Sequence, residues 1–184
     1  MRIKKRRFLR IATWNIRTLN FSGEEDYTLR LSPNDKRPLL IKEAKRFDLD
    51  IICLQETRII GQGNIEIDGY ILIWSGQPDK HFSGVAILIK KDLLRGYYEI
   101  KYVSDRIICI SLSIHSQRMS IISAYAPTNE YEADKKLEFY DDLNKITSTI
   151  PRKQDLYIGA DFNARVGRTK RGDDEWGKVL GNFG

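Results

Sequence analysis

The stretch Asp50-Ile51-Ile52-Cys53-Leu54-Gln55-Glu56-Thr57 opens on a charge, runs through four apolar residues and closes on an amide, a carboxylate and a hydroxyl. A run this short, rich in isoleucine and free of glycine and proline, reads as a buried strand. Residues 38–47 just before it carry Leu40, Ala44 and Phe47 at helical spacing, with Pro38 in the first turn and Asn34 or Asp35 available as a cap. Farther upstream, residues 8–16 form a second run of apolar and β-branched residues. Residues 21–37, with Gly23 and Pro33, read as a loop. Strand, helix and strand in that order make a parallel unit, whose two strands end at the same edge of a sheet.

Downstream the pattern changes. Six short apolar or alternating runs, at 65–67, 70–74, 84–89, 97–103, 107–114 and 119–125, are separated by turn signals. In the fifth, Ile108, Ile110, Leu112 and Ile114 share one face, while Ser111 and Ser113 take the other. Residues 134–150 read as a helix with Phe139, Leu143, Ile146 and Ile150 on one stripe and Pro151 closing it. Residues 156–160 read as another buried strand, and beyond Asn163 the chain is polar and glycine-rich. The expectation is an α/β (α+β) protein of two packed, mainly antiparallel sheets flanked by helices. The tail from Ala164 to Gly184 reads as a connection toward further strands that the sequence does not reach.

Charge divides the chain unevenly. Of 31 Lys and Arg, six (Arg2, Lys4, Lys5, Arg6, Arg7 and Arg10) fall in the first ten residues, which hold no acid, so the other residues balance at 25 basic against 25 acidic. The net charge of +6 therefore comes almost wholly from a basic arm over residues 1–8, which holds five of the six, ahead of one domain over 9–184 that is neutral apart from Arg10. With 41% hydrophobic and 30% charged residues the composition is that of a globular domain. No apolar run approaches the ~20 residues of a membrane-spanning helix, and Arg10 interrupts the apolar stretch that a secretory signal would need. Cys53 and Cys109 lie inside apolar runs and read as small buried hydrophobes, which fits a reducing compartment.

Four apolar runs stop on polar residues able to bind a metal or a phosphate: at Asn15, at Gln55-Glu56, at Tyr125 and at Asp161-Phe162-Asn163. Side chains at strand ends are held at the base and free at the tip, which suits function. Two carboxylates and two amides offer hard oxygen ligands of the kind Mg²⁺ takes while it keeps several waters and a substrate phosphate. Each residue alone also has a plainer reading. Glu56 can cap a turn, Asp161 and Asn163 can form an Asx-turn, Tyr125 with Pro127 can be a rigid turn, and Gln55 can satisfy buried backbone.

In order and at their spacings, the segments TWNIRTL (13–19), LQETR (54–58), GVAILIK (84–90), SAYAPTNE (123–130) and GADFNARVG (159–167) resemble the endonuclease/exonuclease/phosphatase superfamily. Within it they are most similar to the apurinic-type endonuclease domain of non-LTR, LINE- or RTE-like retrotransposons. The resemblance runs from about Leu9 to the C-terminus. It implies a four-layer α/β sandwich with the site at one edge of the two sheets. It further implies Mg²⁺-dependent hydrolysis of a DNA phosphodiester, with Mn²⁺ as a possible substitute. Glu56 would be the main metal ligand and Asn15 would support it. Tyr125 would face the scissile phosphate, Asp161 would orient or activate the attacking water, and Asn163 would bind a phosphate oxygen. The sequence further points to DNA as the partner, no membrane, and a nuclear or cytoplasmic location; it leaves the oligomeric state open, with a monomer favoured.

The departures are as informative. Many relatives carry an acid where Arg17 stands; arginine cannot bind a metal, which puts a second ion in doubt, but it can contact a phosphate. The family completes its site with a late aspartate and a terminal Ser-Asp-His motif, and the 184 residues contain neither. His81 and His115 do not match that context. The sequence therefore predicts a sandwich short of its C-terminal strands with impaired hydrolysis, since loss of one transition-state donor lowers a rate by about 10²–10³. The alternative is a catalytically inactive, truncated or domesticated fragment that binds nucleic acid. A phosphoinositide or sphingolipid substrate has no lipid-facing segment to support it. For DNA, Arg165 and Arg168, with Lys170 and Arg171, can hold a backbone beside the site, or equally form a solvated loop whose charge Asp173, Asp174 and Glu175 cancel. The 4–7 cluster reads first as a solvated tail, with a nuclear address or a phosphate-binding arm as the functional alternatives. Trp74, Phe82, Tyr97 and Tyr98 can stack on bases or pack in the core.

Overall fold

The apolar run after Asp50 forms β2 (Ile51–Gln55), buried along its whole length. In this computed structural model the described residues are 8–19, 34–114 and 117–164. Residues 1–7 of the basic arm, most of the expected 21–37 loop, His115, and the Arg165–Arg171 basic cluster lie outside them. Strand β2 pairs in parallel with β1 (Ile11–Asn15), with Asn15 level with Gln55. The link between them contains α1 (Arg37–Arg46), as strand–helix–strand requires. Proline stands in the first turn of α1, but the N-cap is Lys36 and makes no side-chain cap bond; one residue earlier, the Asp35 carboxylate accepts the Arg37 N–H at 2.8 Å as a turn rather than the expected cap. Leu40, Ile41 and Ala44 are the buried stripe; Phe47 is exposed beneath the Arg46 guanidinium, 4.0 Å from its ring centroid, and does not join the core as the spacing suggested.

All six central runs are strands. β3 (Gln62–Ile67), β4 (Tyr70–Ser75) and β5 (Val85–Lys90) complete the first sheet, of order β1-β2-β5-β4-β3. The second sheet runs β6 (Tyr98–Ser104), β7 (Ile107–Ile114), β8 (Gln117–Tyr125) and β9 (Asp155–Asp161). Between β8 and β9 the chain forms α2 (Ala133–Ser148), which buries Phe139, Leu143 and Ile146. Each sheet has one parallel pair, β1–β2 and β8–β9, among antiparallel ones, so both are mixed. The parallel pairs arise where a helical connection returns the chain to the starting edge.

Three apolar clusters order the elements. One packs α1 on the first sheet through Leu40, Ala44, Leu54 and Leu88. The second lies between the sheets, where Ile51, Cys53, Ile87 and Ile89 meet Ile108, Ile110, Ile121 and Leu112. The third joins Ile107, Cys109 and Ile122 to α2. Strand β7 is thus covered on both faces, and its Ile108–Ile110–Leu112 row points between the sheets as the alternation predicts. Strand β9 corrects the reading of residues 156–160 as buried. Leu156, Tyr157 and Ile158 are 39%, 43% and 41% exposed, because β9 pairs only with β8 and stands at the edge of its sheet among the described residues. An apolar sequence reports a strand's tendency to be covered, not what lies opposite it.

At one end the sheets approach closely. A Cβ on Gly159 would lie 2.5 Å from Cys53 Cβ and 3.2 Å from Thr13 Cβ, so β9 needs glycine there to lie against β1 and β2. Beside it the buried Gln55 side chain crosses the gap. Its Nε2 donates to the Gly159 carbonyl at 3.1 Å and to Ser123 Oγ at 3.2 Å, while Oε1 accepts the Thr13 hydroxyl at 3.1 Å. The amide role read for Gln55 therefore extends to joining strands of both sheets.

Candidate active site

Two parallel pairs set the site. Asn15 ends β1 beside Gln55, so Glu56 emerges next to it. On the other sheet Tyr125 and Asp161 are register partners. With the sheets held by Gln55 and Gly159, the four ends meet. Asn15 Nδ2 donates to Glu56 Oε1 at 2.6 Å and to Asp161 Oδ2 at 2.9 Å, one amide bridging two carboxylates. Its Oδ1 accepts the Arg17 N–H at 3.2 Å. Asp161 Oδ1 in turn accepts the Asn163 N–H at 3.0 Å, which is the Asx-turn of the plainer reading. The Asn163 amide donates to the Ala126 carbonyl at 2.7 Å, and the Ala126 N–H returns a bond to the Asp161 carbonyl at 2.9 Å.

Tyr125 is nearly buried, its hydroxyl set among Glu56 and Asn163. Burial, and then the negative charge of Glu56, push its phenol above the usual tyrosine range, with Asn163 and Arg106 opposing. It stays a proton donor at any physiological pH. Arg58 Nη2 lies 3.7 Å from Glu56, and Arg106 Nη1 donates to the Tyr125 carbonyl at 3.2 Å with its guanidinium 5.2 Å from that ring centroid. The motif reading assigned no role to these two arginines; the Arg that closes LQETR was the available signal for Arg58.

The backbone at this end is unusual. Arg17, Thr18, Glu56, Arg58, Ser83 and Asn163 all have φ between +46° and +74°. A non-glycine residue held there costs of order 1–3 kcal/mol, and such residues gather at functional sites. Neighbouring turns hold them: Thr18 N–H bonds the Glu56 carbonyl at 2.6 Å and Arg58 N–H bonds the Ser83 carbonyl at 2.9 Å. Gly84 lets the start of β5 approach, since its φ is +91° and a Cβ would lie 2.7 Å from Thr57 Oγ1. That hydroxyl is buried and has no hydrogen-bond partner among the described residues.

Of the residues singled out in the sequence, Asn15, Glu56, Tyr125, Asp161 and Asn163 are brought together. Arg17 stands exposed at the rim, joined to the site through its backbone. Arg165 and Arg168 lie outside the described residues. His81 is on the surface, with Nδ1 2.9 Å from the Arg58 carbonyl. Of the aromatic residues considered for stacking, Trp74 is buried, whereas Phe82, Tyr97 and Tyr98 are exposed. Among the described residues no three His, Cys, Asp or Glu gather as a metal cage. The donors present are oxygens of Glu56 and Asp161 with Asn15 between them. A set of two carboxylates and no sulfur or imidazole fits Mg²⁺, which usually takes one or two carboxylates and fills its shell with water and phosphate.

Sequence comparison bears directly on this geometry. The profile of the Endonuclease/Exonuclease/phosphatase family matches residues 12–178. The chain belongs to this family. Craniofacial development protein 2 of Bos taurus is 27% identical over 174 residues, covering 95% of this chain and 26% of that protein. An exodeoxyribonuclease of Bacillus subtilis is 24% identical over 123 residues, covering 65% of this chain and 49% of the enzyme. The chain thus spans about a quarter and about half of these relatives. The endonuclease domain of TRAS1, a telomere-specific non-LTR retrotransposon, superposes with a TM-score of 0.51 at 19% identity, over 69% of this chain and 52% of that one. D. rerio TDP2 complexed with single strand DNA product superposes with a TM-score of 0.55 at 15% identity, over 86% and 62%. These two solved structures share the fold seen here. The family comprises metal-dependent phosphoesterases and nucleases.

Proposed function

We propose that the chain is the Mg²⁺-dependent phosphodiesterase part of a DNA endonuclease of the retrotransposon type, which nicks DNA. The observation that carries this reading is the single amide of Asn15 bonded to both Glu56 and Asp161. It poises two carboxylates from different sheets around one point, as hydrolysis of a charged ester needs. The DFNARVG segment and the similarity to a retrotransposon endonuclease domain support the choice of DNA.

Glu56, with Asp161 beside it, would hold Mg²⁺, and the ion would supply a Lewis acid for the charge that builds on the phosphate. The chain's own groups do the rest. Asp161 has both oxygens anchored, one by Asn15 and one by the Asn163 N–H, so its remaining lone pairs point in a set direction to orient the attacking water. Tyr125, kept protonated, donates to a phosphoryl oxygen, and Asn163 lies beside it to do the same. Arg17 on the rim, and Arg165 and Arg168 farther along the chain, hold neighbouring phosphates.

The test is conversion of supercoiled plasmid to nicked circle with Mg²⁺, run with Glu56→Gln and Asp161→Asn. Both variants lose nicking if the reading is right; nicking that persists in both rejects it.

A further inference from the structure

Beside Glu56, which lines it, a cleft of about 160 Å³ lies between Phe82, Tyr131, Arg58 and Arg106, with Tyr125 in its wall. It is smaller than the ~300–1,000 Å³ of a complete small-molecule site, so it suits one moiety of a longer substrate. Its walls are aromatic. The Phe82 and Tyr131 rings lie 6.4 Å apart between centroids at 48°, and the Arg106 guanidinium sits 5.0 Å from the Tyr131 centroid. Phe82 is 51% exposed and joins none of the apolar clusters of the described residues; it precedes Ser83, whose hydroxyl is tied to Asp105 and whose φ of +55° turns the chain there. Exposing a large aromatic ring on a turn held this firmly forgoes burial that phenylalanine would otherwise gain.

We infer that this cleft takes one unpaired nucleobase of the substrate strand, stacked on Phe82 and Tyr131, next to the phosphate at Glu56. The inference rests on the phosphodiesterase reading for the position of that phosphate. Aromatic rings and arginine planes bind bases by their faces, with little regard to sequence. A base within a duplex has both faces covered by its neighbours, so only an unpaired or extruded one can present a face here. Arg58, half-exposed at the mouth, is placed to meet the phosphate attached to that base, and the carboxylates of Glu56 and Glu130 in the same lining disfavour a bare anion deeper in. The base lies at Phe82 and Tyr131, and its phosphate stays at Arg58, on the Glu56 side of the mouth.

The test is binding in EDTA of a short oligothymidylate carrying one 2-aminopurine, whose fluorescence falls when it stacks. The chain should bind it with quenching, whereas Phe82→Leu and Tyr131→Leu, which keep apolar volume and remove the ring, should each bind roughly 5- to 100-fold more weakly with the quench lost. Variants that bind and quench like the parent overturn the proposal, as does equal affinity for the fully paired duplex. Plasmid nicking is scored separately. Stacking without nicking would uphold the cleft and remove the catalytic reading, and nicking without stacking would do the reverse.

Discussion

Asn15 and Asp161, separated by 146 positions in sequence, are joined by a hydrogen bond of 2.9 Å across the ends of two different sheets. The same amide nitrogen reaches Glu56. Removing the side chain leaves two carboxylates facing each other with nothing between. Partners of metal-binding groups typically contribute 10- to 100-fold to metal affinity or activity. Asn15→Ala should therefore raise the Mg²⁺ concentration for half-maximal nicking by roughly that factor while the fold persists. An unchanged Mg²⁺ titration would show that the bridge is incidental.

Tyr125→Phe isolates one hydroxyl. The ring and its contact with Arg106 remain, so thermal unfolding should shift little, but a donor near the phosphate is lost. Nicking should fall by about 10²-fold, at the lower end for removal of a transition-state donor. A rate within a factor of two of the parent would place Tyr125 among packing residues only.

Gly159→Ala probes the seam between the sheets. The new methyl would meet Cys53 Cβ at 2.5 Å and Cys53 Sγ at 2.8 Å, both on a central buried strand. Overpacking of this kind costs about 1–3 kcal/mol, visible as a lower urea midpoint. Because the Gly159 carbonyl anchors Gln55, which precedes Glu56, nicking should fall as well. Full stability would mean the sheets can part there freely.

Cys53 makes stability depend on alkaline pH. Burial pushes its thiol from 9.0 up to about 12. The folded chain holds the proton more tightly than the unfolded one, so this contribution is present in full below pH 9 and is lost as pH rises toward 12. Between pH 8.5 and 10.5 it should remove about 2 kcal/mol. Urea unfolding of the parent and of Cys53→Ala at both pH values reads this contribution as the difference between the two chains' pH slopes. Parallel slopes would contradict it.

Much of the fold was legible because its signals are local. The alternation of Ile108, Ile110 and Leu112, the stripe of Phe139, Leu143 and Ile146, and the Ile-rich run before Gln55 each report a period and a burial that their own neighbours dictate. The site residues were legible for a related reason: each ends an apolar run, where a strand must expose a polar tip. Phe47 and β9 were misread because exposure depends on what lies opposite, which no local pattern contains. Arg58 and Arg106 were missed because a guanidinium gains its role from rings and carboxylates that other segments bring to it.

The amino-acid sequence by itself determined the elements, the family and the five residues at the candidate site. Hydrophobic period and strand-end chemistry are properties of contiguous residues. The tertiary structure alone decided that Asn15 is the bridge rather than a bystander, and that Gln55 and Gly159 hold the sheets at that end. It alone turned Phe82 outward beside Tyr131. Those outcomes depend on which strands pair in parallel and how closely two sheets approach, distances set by packing between segments far apart in the chain.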